Sequence, residues 1–165
     1  NANFEIVDIS KTSIHISKSL INFLVNEKLK INYLLNDIYK VNFKKNFEFI
    51  TMGEVLEHVD KPFLLLKKIN GLISETGEMF MSTCVDCPWI DHVYHFKSVK
   101  EIEDMVGDSG FRIIDKLILP VEDKPMEEII KNKITINYCA LLQKKWNKKM
   151  FTNDLMHPII FPWEP

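Results

Sequence analysis

The chain has 165 residues, 46% hydrophobic and 27% charged, with a net charge of −2, an ordinary globular balance for one domain with a real core. That charge gives no electrostatic case for nucleic acid or an anionic membrane, and twenty lysines against a single arginine, Arg112, disfavour phosphate recognition by arginine forks. No apolar run reaches the roughly 18 residues of a membrane helix, no leader pattern opens the chain, and Cys84, Cys87 and Cys139 form no disulfide framework, so a reducing, cytoplasmic setting is expected.

In chain order, Phe4 to Val7 is a short apolar run ending on Asp8 and reads as a strand. Ser10 can cap a helix whose apolar positions Ile14, Ile21, Leu24 and Val25 share a face. Ile31 to Leu35 is a second strand, ending at Asn36-Asp37, and Phe47 to Met52 a third, closed by Gly53. Asp60 and Pro62 form a cap-and-proline start for a helix carrying Phe63, Leu66, Ile69 and Ile73. Ser74 to Gly77 is expected as a turn, and Glu78 to Thr83 as a fourth strand.

Ser98 and Glu101 make a capping box for a helix stopped by Gly110. Two longer β stretches follow, Phe111 to Leu119 and Lys133 to Leu142, joined by a short helix near Met126 to Lys131. Strands alternating with helices imply an α/β fold with a mostly parallel sheet covered on both faces, and the close of the chain implies an antiparallel edge addition. Residues 1–145 are expected to form the domain. Residues 146–165, rich in proline and aromatics, are expected to be a tail packed on it.

Three strand ends carry acids or glycine: Asp8, Asp37 and the Met52-Gly53-Glu54 step. With the run Gly53-Glu54-Val55-Leu56-Glu57-His58-Val59-Asp60-Lys61-Pro62 and with Asp108-Ser109-Gly110-Phe111, they stand in the order found in class I S-adenosylmethionine-dependent methyltransferases. The chain resembles that family over roughly residues 3 to 142, from its second strand onward. The resemblance implies a Rossmann-like three-layer sandwich with S-adenosyl-L-methionine as cofactor. Asp8 would then accept both ribose hydroxyls, Asp37 would take the adenine amino group, Ile9 and Ile38 would sandwich the ring, and Met52, Gly53 and Glu54 would line the methionine moiety. Gly53 would be there because a side chain would meet the ligand. Blander roles stand beside these: Asp8 as an acid at a helix N-terminus, and the two isoleucines as plain core. His58 is a candidate proton acceptor, or, with Glu57, a residue that settles backbone groups in a turn.

The stretch Cys84 to Lys97 follows the strand that points at the active site in the resembled fold, and loops on rigid sheets concentrate function. Asp91 and Tyr94 are acceptor-binding candidates, and His92 or His95 a candidate general base; the alternative is a surface loop with one buried histidine. Cys84, Cys87, His92 and His95 are also zinc-type ligands. The four-residue gap between the pairs is shorter than in a typical zinc finger, so no metal is expected.

The family's first strand and glycine-rich loop have no counterpart here, and none of the five glycines forms a Gly-x-Gly pattern. That strand is central in the family sheet. Its absence predicts a sheet divided through its middle, with unpaired backbone edges and weak cofactor binding. It leaves open a truncated chain or a strand supplied by another chain. The leading functional expectation is methyl transfer to an oxygen or nitrogen of a small metabolite or sugar-like acceptor, without a nucleic-acid or membrane partner; homo-oligomerisation stays open. An inactive relative serving as an interaction module is the alternative. A nicotinamide-dependent oxidoreductase is disfavoured, since Gly-x-Gly-x-x-Gly is missing.

Overall fold

The computed structural model describes residues 3–25 and 29–145, so the expected tail, 146–165, lies outside the described residues. The elements run β1 (Asn3–Asp8), α1 (Lys11–Leu24), β2 (Lys30–Leu35), β3 (Phe47–Gly53), a single 3-10 turn (Leu56–His58), α2 (Pro62–Leu72), β4 (Ile73–Val85), α3 (Val99–Asp108), β5 (Phe111–Pro120), α4 (Met126–Lys131) and β6 (Ile136–Lys144).

Local chemistry accounts for most boundaries. Ser10 is extended, and its Oγ accepts from Ser13 N at 3.2 Å, which starts α1. Ser98 Oγ does the same for α3 through Glu101 N, while the Glu101 carboxylate returns to Lys97 N at 2.8 Å. Ser109 is the C-cap of α3, and Gly110 follows at φ +94°, a conformation that favours glycine.

Four boundaries differ from the sequence expectation, the first being Ile73, expected in α2 but extended as its C-cap and the first residue of β4. Asp60 does not cap α2: the N-cap is Lys61, without a side-chain hydrogen bond, because Pro62 at the first position needs no donor satisfied. Ser74 to Gly77 is not a turn but the bulged start of β4. There Phe47 pairs with Ile73 and Phe49 with Glu78, so Glu48 alone faces four residues. A Cβ on Gly77 would lie 2.7 Å from Ser74 Oγ and 2.9 Å from the Glu48 carbonyl oxygen. The last strand begins at Ile136, since Lys133, at φ 52°, is still turning out of α4.

The strands form two separate ladders. β1 pairs in parallel with β2, and the other four take the order β3-β4-β6-β5. β3 and β4 are parallel; β6 runs antiparallel to both β4 and β5, so the antiparallel addition is a hairpin with β5 outermost. Among the described residues no ladder joins β1 to β3. The division falls where the sequence predicted it.

The core lies almost wholly on the four-stranded sheet. Leu65, Leu66 and Ile69 of α2, Ile102 and Val106 of α3, and Tyr138 and Leu142 of β6 are each at most 5% exposed. The β1–α1–β2 layer contributes far less. Of the expected α1 face only Ile14 is buried, and Leu24 is 69% exposed, because two strands offer little surface to cover.

Candidate functional site

Parallel strands converge their carboxyl ends on one side of a sheet, where α/β proteins place ligands. Asp8 ends β1, its Oδ1 accepting from Ser10 N at 2.7 Å. One carboxylate oxygen thus serves the entry to α1, the blander of the two roles; a bidentate contact would need that oxygen shared. Ile9 is exposed beside it. Asp37 closes the turn after β2: its Oδ1 accepts from Tyr39 N at 2.9 Å, and its Oδ2 lies 3.6 Å from Lys40. Ile38 is half-buried against the core, so it is at least in part a packing residue.

At the end of β3, Met52 is buried and Gly53 is exposed. A Cβ on Gly53 would meet only Ser82 Oγ, at 3.4 Å, so the protein itself nearly tolerates a side chain there. Glu54 turns with φ 51°, its Oε1 accepting from Ser82 Oγ at 2.6 Å. The seven expected cofactor residues, Asp8, Ile9, Asp37, Ile38, Met52, Gly53 and Glu54, therefore lie at or just after strand ends and are exposed or half-buried, Met52 excepted.

Glu57, in the 3-10 turn, is 1% exposed. Its Oε2 accepts from Thr83 Oγ1 at 2.7 Å, while Oε1 is buried without a hydrogen-bond partner. Burial pushes its carboxyl above the ordinary range, with the neighbouring Glu54 adding to the rise. Its carbonyl accepts from both Val93 N (2.8 Å) and Tyr94 N (2.9 Å), which pins the middle of the 84–97 segment. The ends of that segment meet as well. Asp86, at φ 48°, turns the chain out of β4, its N–H donates to the Phe96 carbonyl at 3.0 Å, and Phe96 is buried in the core. The result is a compact loop with its ends together.

His58 Nδ1 lies 3.0 Å from the Asp91 carbonyl. A carbonyl only accepts, so Nδ1 carries the proton and Nε2 is left as the basic nitrogen. The His58 side chain is 35% exposed, and its ring packs edge-on against His92, with centroids 4.8 Å apart. His92 Nδ1 lies 2.7 Å from the Cys87 carbonyl. His95 stands apart, exposed, its ring 6.4 Å from that of His92. Asp91 is exposed beside His58, with its Oδ2 3.7 Å from His58 Nδ1. Tyr94, by contrast, turns toward α3: its hydroxyl donates to Glu101 Oε1 at 2.9 Å, and its ring packs on Phe96. The structure thus brings His58, Asp91 and His92 together, and sets Tyr94 and His95 aside.

Thr83 and Ser82 carry no chemical signal in the sequence, and Glu57 signals only a turn residue that settles backbone groups. An acid inside the Leu-Glu-His run signals solvent by composition; only packing against Thr83 makes it a buried carboxylate.

Residues 2–81 match the family described as Methyltransferase domain. No curated protein matches the chain. Among solved structures, the N-methyltransferase NodS of Bradyrhizobium japonicum WM9, in complex with S-adenosyl-L-homocysteine, superposes with a TM-score of 0.66 at 10% identity. That match covers 86% of this chain and 66% of NodS, so the chain spans just under two thirds of that relative. The magnesium protoporphyrin IX methyltransferase ChlM of Synechocystis PCC 6803 with bound S-adenosylmethionine matches with a TM-score of 0.62 at 12% identity, over 88% of this chain and 61% of that one. The [4+2]-cyclase SpnF matches with a TM-score of 0.66 at 9% identity, over 86% and 66%.

Proposed function

We propose that this chain, which has the class I methyltransferase fold and matches the methyltransferase-domain family over residues 2–81, is an S-adenosyl-L-methionine-dependent methyltransferase acting on an oxygen or nitrogen of a small molecule. The observation that carries the reading is the placement of Asp8, Asp37 and Gly53 at or just after three successive strand ends in chain order, with His58 following the third. When bound, the cofactor supplies an electrophilic methyl group. Asp8 would hold ribose hydroxyls, Asp37 the adenine amino group, and the Met52–Glu54 turn the methionine portion. Methyl transfer needs an in-line nucleophile, so positioning supplies most of the rate and a single base suffices. His58 is the base the geometry favours: Nδ1 is held by the Asp91 carbonyl, which orients Nε2. Asp91 would contact the acceptor.

Titration with S-adenosylhomocysteine tests the reading. Saturable binding is expected, weakened by roughly tenfold to a hundredfold in Asp8→Ala, the worth of hydrogen bonds to a charged group. No binding would instead favour an inactive relative serving as an interaction module. The divided sheet favours that second reading, because no ladder joins β1 to β3 among the described residues. SpnF, a cyclase of the same fold, illustrates that fold alone does not fix a reaction.

A further inference from the structure

Where β4 ends, the side chains change character. Cys84 is its penultimate residue, and the left-handed Asp86 reverses the chain so that Cys87 comes back toward it. The loop then returns His92 to the same place: its Nδ1, 4.0 Å from Cys84 Sγ, donates to the Cys87 carbonyl at 2.7 Å, so the imidazole ligates through Nε2 or gives up that hydrogen bond. The ligand atoms of Cys84, Cys87 and His92 all lie within 4.8 Å of one another. In a tetrahedral thiolate site, metal–sulfur bonds of about 2.3 Å place neighbouring donors a little under 4 Å apart. Closing this triplet onto an ion takes shifts of an ångström or less.

A second observation points to the same spot. Glu57 falls in one group with Glu54 and Cys84 and in another with His58 and His92, each within that same 4.8 Å span, so it borders the triplet on its Cys84 and His92 sides, with its Oε1 3.9 Å from His58 Nε2. It is 99% buried, and its Oε1 has no hydrogen-bond partner. A buried carboxylate oxygen left unsatisfied carries a large desolvation cost, which a cation beside it removes. The short spacing between the cysteine pair and the histidine is no obstacle here. Cys84 sits at a strand end rather than on a finger, and the fourth donor comes from a different part of the chain.

We propose that Cys84, Cys87, His92 and Glu57 form a tetrahedral site for a zinc-class divalent ion. Two thiolates and an imidazole select a borderline-soft metal over magnesium or calcium, which prefer all-oxygen shells. The ion fastens the loop after β4 to the 3-10 turn beneath it, at the point where the Glu57 carbonyl already holds Val93 and Tyr94. It also divides labour among the histidines. A ligating imidazole is not free to accept a proton, so His92 becomes a metal ligand and His58, edge-on to it, keeps the base role. The inference does not depend on methyl transfer, since metal binding is read directly.

The test is titration of the reduced, tag-free chain with Co2+ as a probe. One equivalent is expected to bind per chain, with thiolate-to-cobalt charge-transfer absorption and the intense visible bands of tetrahedral cobalt; Zn2+ should bleach both. Cys87→Ser changes a half-exposed loop residue and should keep the far-ultraviolet circular dichroism while losing most of the charge-transfer band. Glu57→Gln and His92→Ala should each weaken binding by at least roughly tenfold, since even outer-shell partners are worth 10–100-fold. Cys139→Ser, outside the cluster, should change nothing. The proposal is overturned if no charge-transfer band appears, if the band survives in Cys87→Ser, if it is lost in Cys139→Ser, or if neither Glu57→Gln nor His92→Ala alters affinity. Loss of S-adenosylhomocysteine binding with cobalt binding intact would count against the methyltransferase reading alone.

Discussion

The β1–α1–β2 layer and the four-stranded unit are built on the same βα logic, yet they differ sharply in how much they bury. Behind α2 and α3, long side chains such as Leu66, Val106 and Tyr138 are fully enclosed. In the first layer Ile14 is the buried apolar residue among the described residues, while Phe23 is 83% exposed. The two regions also divide the chemistry. The thin layer carries Asp8 and Asp37, the acids proposed for ribose and adenine, on short turns, and the thick one holds the buried carboxylate, the thiols, His58, His92 and His95. Stability therefore resides mainly in one region, while part of the proposed cofactor site resides in the other.

The sharpest test of the chemical half of that contrast is His58→Ala. It should lower kcat by roughly 100-fold or more, the usual worth of a general base, with little change in cofactor affinity; a loss confined to affinity would move the base elsewhere. For stability, Leu66→Ala should cost about 4 kcal/mol in denaturant unfolding and Ile14→Ala only about 1–2 kcal/mol, because a loosely surrounded site collapses more readily around a lost side chain. Equal costs would erase the difference between the regions. Gly77→Val, which drives a side chain into Ser74 and the Glu48 carbonyl, should cost about 2 kcal/mol, measured by thermal melting.

The smallest effect concerns Glu57 in the metal-free chain. Its carboxyl is raised from the ordinary 4.5 chiefly by burial, so the folded state holds its proton more tightly than the unfolded state does. Stability is then full below about pH 4.5 and falls as pH climbs toward the folded value. Glu57→Gln should remove that decline and add about 1 kcal/mol near neutral pH. A wild-type profile flat across this range would mean the carboxylate is already compensated.

The elements were legible in the sequence wherever a local rule set them. The Ser10 and Ser98 caps, the strand-ending acids and the Gly110 stop each rest on chemistry within a few residues. Ser74 to Gly77 misled because its turn-forming composition is equally that of a bulge, and only the Phe47 and Phe49 pairings across the ladder tell the two apart. Tyr94 misled in a similar way: its neighbours in sequence face the loop, but its hydroxyl is claimed by Glu101 on the following helix. The acids at the strand ends were readable by order alone. The burial of Glu57 was not, since it depends on Thr83, 26 residues away.

One undivided six-stranded sheet would have two borders; two ladders have four, and the extra pair belongs to β1 and β3. Among the described residues each has one side without a strand partner, beside an exposed aromatic residue, Phe4 on one and Phe49 on the other. Such borders template intermolecular strand pairing. Self-association of the chain should therefore rise with its concentration, with the free edges of β1 and β3 as the expected place of contact.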